Sequence, residues 1–252
     1  EEGIDFIAHS FVRNKEDVWA VQNILDEYHS DIKIISKIEN QEGVDNIDEI
    51  IEASYGIMIA RGDLGIEVPI EHIPGIQRKI IRKCVLAKKP VIVATQMLHT
   101  MINNPRPTRA EVTDIANAIF YRTDALMLSG ETASGKYPIE AVKTMVSIAE
   151  QAEKDKLHEN DIDIPLCDFD DVTGFLSRNA IESTRHLEVK CIITDTVTGK
   201  TARNLSAYRA SNPIFSLCCN HKIHRVLSLS YGVIPVIQQE GLTSHEQYME
   251  AL

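Results

Sequence analysis

The fold is decided by the stretch Gly56-Ile57-Met58-Ile59-Ala60-Arg61-Gly62-Asp63-Leu64-Gly65, an apolar run that stops at a charged, glycine-rich turn. Four other stretches have the same form, strand-like and closed by polar residues: 4–11, 32–39, 90–96 and 125–131. Continuous apolar runs are typical of strands buried on both faces of a parallel sheet, and the stretches between them have helical periodicity. The pattern predicts an α/β fold with about five βα units of a partial TIM-type (β/α)8 barrel, whose functional residues lie at the carboxyl ends of the strands.

The second part of the chain has a different spacing. Periodicity disappears and acidic residues accumulate over 155–171, which predicts a linker. Beyond it the elements are closer together: a helix at 175–185 and strands at 191–195, 214–219 and 233–237. We therefore predict a barrel portion at 1–154 and a smaller α/β domain at 172–252. The last residues, 244–252, are predicted to begin a helix that no strand follows, so we expect the second domain to be truncated.

Composition narrows the class of protein. With 252 residues and 44% hydrophobic residues, the chain can bury a sizeable core. A net charge of −11 without a basic stripe argues against nucleic acid as a partner. No apolar run approaches the roughly 18 to 20 residues of a membrane span, so we expect no membrane partner and a cytoplasmic location. The five cysteines are odd in number and form no C-x-x-C pair, which argues against a disulfide framework or a zinc site.

Charged residues stand at two consecutive strand ends. Residues two apart on a strand share a face, so Lys37 and Glu39 are expected to project together into the top of the barrel. Asp63 follows the next strand, close enough to share a divalent ion with Glu39. Two carboxylates, completed by water and substrate oxygens, are the usual protein contribution to a magnesium site, so we predict Mg²⁺ or Mn²⁺ there. The alternative is a salt bridge from Lys37 to one of these acids.

Further polar residues lie near the same edge. Gly62 and Gly65 are expected to open a short helix whose free N–H groups favour an anion such as a substrate carboxylate; the alternative is a plain turn with glycines at positive φ. Thr95, at the next strand end, could hydrogen-bond the same anion or pass a proton, although such a threonine is more often structural. Ser129 and Glu131 repeat the two-apart spacing, with capping of the following loop or helix as their alternative role.

These groups together indicate a reaction class. A divalent ion and an ammonium group beside a bound carboxylate suit the stabilisation of an enolate or of a transferring phosphoryl group, where charge neutralisation and positioning do most of the catalysis. The residues alone do not choose between the two.

Five segments of the sequence resemble those of the pyruvate kinase family, in the family's order. They are Ile-Ser-Lys-Ile-Glu-Asn (35–40), Met-Ile-Ala-Arg-Gly-Asp-Leu-Gly-Ile-Glu (58–67), Ala-Thr-Gln-Met-Leu (94–98), Asn-Pro-Arg-Pro-Thr-Arg-Ala-Glu (104–111) and Met-Leu-Ser-Gly-Glu-Thr-Ala (127–133). The similarity is strongest over 4–153 and looser afterwards. It implies phosphoryl transfer from phosphoenolpyruvate to ADP, which gives pyruvate and ATP in the last step of glycolysis.

The resemblance also implies roles for the strand-end residues. By analogy, Glu39 and Asp63 bind the divalent metal, and Lys37 stabilises the phosphoryl group in flight. Gly62, Asp63 and Thr95 hold the substrate carboxylate, and Thr95 is also a catalytic candidate.

The family has further features that the resemblance carries over. Ser129 and Glu131 would lie near the path of proton delivery. Potassium would be required, with ligands outside this chain, and the complete enzyme would be an allosteric homotetramer. A loop of the second domain would bind the phosphate of an effector, with a surface turn that opens a helix as its alternative role. The matching residues here are Thr196, Thr198, Gly199, Lys200 and Thr201.

The sequence departs from the family in what it contains. The family's N-terminal portion, which supplies three barrel strands and the monovalent-cation ligands, and its inserted lid domain are not in this sequence. Five strands cannot close an eight-stranded barrel, so we expect this chain alone to bind metal weakly and to turn over little or no substrate. Two other functions stay open: a magnesium-dependent, enolate-forming lyase or aldolase of the phosphoenolpyruvate-like barrel group, and a non-catalytic interaction module.

Overall fold

The computed structural model describes residues 3–155, 162–165 and 171–238. The chain forms two compact units, residues 1–161 and 162–252. Most of the predicted linker at 155–171 and the helix predicted at 244–252 lie outside the described residues, so the domain boundaries stay predictions. Over the three described ranges, no helix has the length and apolar character needed to cross a membrane.

The first unit is built on a parallel sheet of five strands in chain order. The strands are β1 (Phe6–His9), β2 (Lys33–Ile38), β3 (Gly56–Ala60), β4 (Val91–Ala94) and β5 (Ala125–Met127). Each pairs in parallel with the next, with Ile38 opposite Ile59 and Ala60 opposite Ala94. This confirms the predicted βα units of a partial barrel, and it brings the carboxyl ends of the strands to one edge. The strands are shorter than the apolar runs because the polar closing residues turn away from the sheet.

Helices connect the strands, as the helical periodicity of the intervening stretches predicts. They are α1 (Lys15–Glu27), α2 (Gln41–Asp45), α3 (Ile47–Ala53), α4 (Arg61–Glu67), α5 (Ile73–Leu86), α6 (Arg109–Phe120), α7 (Gly130–Ala133) and α8 (Pro138–Asp155). Short 3-10 turns cover Ile70–His72 and His99–Ile102.

The start of α6 shows how local sequence sets a helix end. The Thr108 hydroxyl accepts a hydrogen bond from the backbone N–H of Glu111, and the Glu111 carboxylate accepts one from the N–H of Thr108. This capping box satisfies two backbone donors that the first turn of a helix leaves without intrahelical partners. The helix can therefore begin directly after the loop that holds Pro105 and Pro107.

The core of the first unit is centred on β3, in which every residue is buried. Ile57 and Ile59 of this strand have no exposed surface, and neither do Ile80 and Ile81 of α5. Burial of one such side chain contributes about 1.5–3 kcal/mol. The central strand must therefore be apolar at every position, which is why its sequence does not alternate.

The second unit is a smaller α/β structure. Its parallel sheet has three strands, β6 (Ile192–Thr196), β7 (Ile214–Cys218) and β8 (Val233–Ile237). The helices are α9 (Val172–His186), α10 (Lys200–Ala207) and α11 (His221–Leu227). Ile181, Leu205, Ile214 and Leu227 are among the buried residues of its core. The smaller α/β fold predicted for this part of the chain is confirmed.

Candidate active site

An ion pair occupies the carboxyl end of β2. The strand ends at Ile38, and Glu39 follows with none of its surface exposed. The Lys37 ammonium lies 2.7 Å from Glu39 Oε1, so the salt bridge that the sequence allowed is present. The same Nζ atom donates a hydrogen bond to Ser10 Oγ, 2.9 Å away, at the end of the neighbouring β1. The Lys37 ammonium thus contacts one residue at its own strand end, Glu39, and one at the neighbouring strand end, Ser10.

The two carboxylate oxygens of Glu39 have different surroundings. Oε2 accepts a hydrogen bond of 2.6 Å from the backbone N–H of Phe11. Oε1 is buried and has no hydrogen-bond partner among the described residues, so the Lys37 ammonium alone neutralises it. Phe11 has φ +54°, an unusual conformation for a bulky residue, and its bond to Glu39 helps to hold it there. Sequence analysis missed Ser10 and Phe11, which carry no recognisable motif of their own.

Asp63 is the second predicted metal ligand, and it lies in the first turn of α4. It is half-buried, and its carboxylate makes no hydrogen bond or ion pair with any residue in the described part of the chain. Because β2 and β3 are adjacent and parallel, Glu39 and Asp63 both follow strand ends at the same edge of the sheet.

The donor set fits a hard divalent cation. Glu39 offers one buried oxygen without a hydrogen bond, and Asp63 offers an unpaired carboxylate. Magnesium sites commonly have only one or two protein carboxylates, with water and substrate oxygens completing the octahedron. Among the described residues no group of three or more His, Cys, Asp or Glu side chains could hold a metal. An ion here would therefore draw its other ligands from water and substrate.

The end of β4 is held in an unusual conformation. Thr95 has φ +71° and Gln96 has φ +56°, both in the left-handed region that a β-branched residue such as threonine rarely adopts. The Thr95 hydroxyl donates a hydrogen bond of 2.6 Å to the carbonyl oxygen of Ala94 and accepts one of 2.8 Å from the N–H of Gly62. Two predicted site residues, Gly62 and Thr95, are therefore in direct contact.

Gly62 lets the backbone of α4 approach the Thr95 side chain closely, and it does not serve to provide a positive φ. It lies within α4, and its φ is not positive, so a plain turn with glycines at positive φ is the wrong description. A Cβ atom at this position would lie 3.3 Å from Thr95 Oγ1, closer than ordinary van der Waals contact. Any larger residue would push the threonine hydroxyl away from the Gly62 N–H.

A buried arginine fixes the position of Thr95. Arg61 is 8% exposed, and its Nη2 atom donates a hydrogen bond of 2.7 Å to the carbonyl oxygen of Thr95. Nη1 lies 2.7 Å from both carboxylate oxygens of Asp114 on α6. Sequence analysis gave no role to Arg61 or Asp114. They are 53 residues apart, and no local pattern links them.

Ser129 and Glu131 do not share a strand face, contrary to the expectation from their spacing. β5 ends at Met127, Ser129 is the N-cap residue of α7, and Glu131 lies inside that short helix. The Glu131 carboxylate is 2% exposed and accepts hydrogen bonds from the N–H groups of Leu98, at 3.1 Å, and Ser129, at 2.9 Å. It joins the segment after β4 to the segment after β5.

The predicted effector loop leads from β6 into α10. Gly199 has φ +79° and precedes the helix, and its N–H donates a hydrogen bond of 2.9 Å to the buried hydroxyl of Thr196. Thr198 and Lys200 are exposed, and Thr201 is half-buried. The loop is thus a surface turn that opens a helix, which is compatible with both roles considered from the sequence.

A cavity lies beside the ion pair. Its volume is about 560 Å³, and Ser10 and Phe11 contribute to its wall together with His9, Arg13, Asn40 and Glu67. Because Ser10 also contacts Lys37, a small molecule in this cavity would lie close to the ammonium group.

Comparison with known proteins identifies relatives for both units. Residues 1–142 match the family model for the pyruvate kinase barrel domain, and residues 175–252 match that for the pyruvate kinase alpha/beta domain. The chain is 56% identical over 231 residues to a pyruvate kinase of Borreliella burgdorferi, covering 91% of this chain and 48% of the relative. It is 47% identical over 254 residues to a pyruvate kinase of Bacillus licheniformis, covering 100% of this chain and 43% of the relative.

A solved structure is similar as well. The crystal structure of a pyruvate kinase from Cryptosporidium parvum superposes with a TM-score of 0.92 at 42% identity, covering 99% of this chain and 52% of that one. The chain therefore spans about half the length of the curated relatives and of the solved structure that it matches.

Proposed function

Because this chain belongs to the pyruvate kinase family, we propose that it supplies the metal-binding and phosphoryl-transfer residues of an enzyme that converts phosphoenolpyruvate and ADP to pyruvate and ATP. The observation that carries the proposal is the contact between Lys37 and the fully buried Glu39 at a strand end. A buried carboxylate with one oxygen free of hydrogen bonds is costly unless a cation neutralises it.

Glu39 and Asp63 would hold the divalent ion, Mg²⁺ or Mn²⁺. When bound, such an ion neutralises charge on substrate oxygens and helps to hold them in place. Glu39 would contribute Oε1, since the Phe11 N–H already engages Oε2. Asp63 would contribute from the first turn of α4, where no other described residue pairs with it. Potassium, if required, would be bound by ligands outside this chain.

Lys37 would act on the phosphoryl group during its transfer. The phosphoryl group leaves the enol oxygen of phosphoenolpyruvate and joins the terminal phosphate oxygen of ADP, and the remaining enolate takes a proton at its methylene carbon. An ammonium group offsets the negative charge on the phosphoryl oxygens in the transition state. The Lys37 side chain is 23% exposed, so the ammonium is not sealed from solvent.

Gly62 and Thr95 would receive the substrate carboxylate together with the backbone N–H of Asp63. The Gly62 N–H is already bonded to the Thr95 hydroxyl, so a bound carboxylate would replace that hydroxyl as acceptor. The hydroxyl could then turn from the Ala94 carbonyl and donate to the carboxylate. Arg61 keeps Thr95 in position throughout, since it bonds to the backbone oxygen and not to the hydroxyl.

The remaining roles are proposed on the family relationship. Ser129 and Glu131 lie near the path of proton delivery. The loop of Thr196, Thr198, Gly199, Lys200 and Thr201 binds the phosphate of an effector through hydroxyl, backbone and lysine donors. The complete enzyme is a cytoplasmic homotetramer.

The test is pyruvate formation from phosphoenolpyruvate and ADP with Mg²⁺ and K⁺. It uses this chain alone and a chimera that joins it to the N-terminal half of the Borreliella burgdorferi relative, of which this chain covers 48%. We expect turnover by the chimera and little or none by the chain alone. In the chimera, Glu39→Gln and Lys37→Met should each abolish turnover. Full activity in both variants would refute the assigned roles, and pyruvate release that does not need ADP would favour a lyase.

A further inference from the structure

We propose that the Lys37 ammonium and the divalent ion compete for the same oxygen of Glu39, and that Ser10 holds the ammonium in its competing position. Ion binding then favours release of Lys37 from this oxygen, so that the ammonium can act on the phosphoryl group. This inference rests on the proposed function, since it concerns the same metal ligand.

The competition follows from the two different oxygens of Glu39. The backbone nitrogen of Phe11, two residues after the end of β1, lies 2.6 Å from Oε2. Oε1 has no hydrogen bond among the described residues and lies 2.7 Å from Lys37 Nζ. Because the Phe11 N–H already engages Oε2, a cation that binds Glu39 is expected to take Oε1.

Occupation of Oε1 by both cations at once is unfavourable. A magnesium ion binds a carboxylate oxygen at about 2.1 Å, so an ammonium that stayed 2.7 Å from that oxygen would lie within about 5 Å of a doubly charged ion. Like charges at that separation repel in a partly buried site. The ammonium at Oε1 therefore lowers the affinity of that oxygen for the ion, and the ion favours release of the ammonium from Oε1.

Ser10 determines how easily the ammonium leaves. Its hydroxyl accepts a hydrogen bond of 2.9 Å from Lys37 Nζ and comes from the neighbouring strand end, so it holds the ammonium independently of Glu39. Ser10 is itself exposed and lines the cavity beside the ion pair. We assign it as a positioning residue whose hydroxyl lowers the affinity of the site for the ion.

Mn²⁺ binding to the chimera, measured without substrates, tests the inference without any enzyme activity. Free Mn²⁺ is measured by its electron paramagnetic resonance signal, and the binding that Glu39→Gln removes is taken as binding to this site. Lys37→Met keeps the aliphatic stem but stops short of the ammonium position, and we expect about tenfold or tighter Mn²⁺ binding because the buried carboxylate has lost its neutralising partner. The matched control Lys33→Met removes the same charge from the same strand and should change the affinity less than about twofold.

Ser10 variants provide the second measurement. Ser10→Ala should tighten Mn²⁺ binding about threefold because it removes one hydrogen bond from the ammonium, and Ser10→Thr, which keeps the hydroxyl, should restore the original affinity. If Ser10 acted only in folding, Ser10→Ala would not bind Mn²⁺ more tightly, and Ser10→Thr would not restore the original affinity. If Lys37→Met fails to fold by circular dichroism, the Ser10 pair decides.

The outcomes are separable from those for the proposed function. Equal or weaker Mn²⁺ binding by Lys37→Met than by Lys33→Met overturns the competition, and so does the absence of binding in every variant. Equal binding by Ser10→Ala and Ser10→Thr overturns the role of Ser10. Turnover by the chimera is a separate readout, so an active chimera with no Mn²⁺ shift rejects only this inference, and an inactive chimera with the expected shift rejects only the function.

Discussion

Replacing Arg61 by Met removes the buried guanidinium that joins the end of β4 to α6. In the folded chain this group donates to the backbone oxygen of Thr95 and pairs with both carboxylate oxygens of Asp114. Methionine keeps much of the apolar stem, so the change removes mainly the charge and its hydrogen bonds. We expect the first unit to lose stability because the left-handed conformation of Thr95, at φ +71°, loses its main restraint.

The expected magnitude follows from the exposure of each partner. A hydrogen bond from a charged group, such as that to Thr95, contributes about 1.5–3 kcal/mol. The Asp114 side chain is 34% exposed, so water replaces much of what it loses, and the ion pair adds about 1 kcal/mol. In the variant the Thr95 backbone can relax, and the strain released offsets about 1 kcal/mol of this loss. The free energy of unfolding should therefore fall by about 2 kcal/mol.

Urea denaturation followed by tryptophan fluorescence measures this loss. Trp19 is the only tryptophan and lies in α1, so it reports on the first unit. With a dependence of about 2 kcal/mol per molar urea, the midpoint of Arg61→Met should fall by about 1 M. Arg82→Met, which removes an exposed cation from α5, is the control and should cost less than about 0.5 kcal/mol.

Two results would refute this reasoning. A loss for Arg61→Met no larger than that for Arg82→Met would mean that the buried guanidinium does not stabilise the strand end. A loss for Asp114→Asn as large as that for Arg61→Met would place all of the effect in the ion pair and none in the bond to Thr95. We expect Asp114→Asn to cost about 1 kcal/mol.

Three further predictions follow from individual sites. Ala usually stabilises a helix relative to Gly by up to about 1 kcal/mol. We expect Gly75→Ala to raise the urea midpoint for this reason, because the added Cβ would lie in open space. Gly43→Ala should instead lower the urea midpoint, because its Cβ would lie 2.5 Å from the Val12 carbonyl oxygen. Burial raises the pKa of Glu111, but hydrogen bonds from two threonines outweigh it and the pKa lies below its ordinary value. This carboxylate therefore stabilises the fold above its unfolded pKa and loses that contribution as pH falls through its folded pKa. Between about pH 6 and pH 3, the urea midpoint should therefore fall less in Glu111→Gln than in the parent. Equal slopes of urea midpoint against pH in the two proteins would contradict this. Among the described cysteines only Cys219 is exposed. In a Cys167→Ser background, which removes the cysteine outside the described residues, Cys219→Ser should therefore remove the fastest phase of thiol labelling by a disulfide reagent, and an unchanged fast phase would contradict the assignment.

Much of the fold could be predicted because burial leaves a local record in the sequence. A strand covered on both faces must be apolar at each position, so β3 and β4 stand out as continuous runs. The capping box at Thr108 and the proline at the start of α8 likewise act on their own helix ends. The bounds differed by a few residues, since the polar residues that close each run no longer pair in the sheet.

The candidate site was predictable in part for the same reason. Lys37, Glu39 and Asp63 follow two consecutive strands, and parallel strands bring such residues to one edge. The spacing of Ser129 and Glu131 wrongly suggested a shared strand face, because the strand ends at Met127 and the chain then turns into a helix. A two-residue spacing has meaning only while the backbone is extended.

The sequence by itself determined the order of the βα units, the apolar faces, the helix ends and the set of polar residues at the strand ends. Each of these depends on contacts within a few residues, or on the solvent that a residue must avoid. Only the tertiary structure decided that Ser10 and Phe11 bind Lys37 and Glu39 across 27 and 28 residues, and that Arg61 pairs with Asp114 across 53. Those contacts depend on sheet register and on the reach of individual side chains, and neither is recorded in any local pattern of residues.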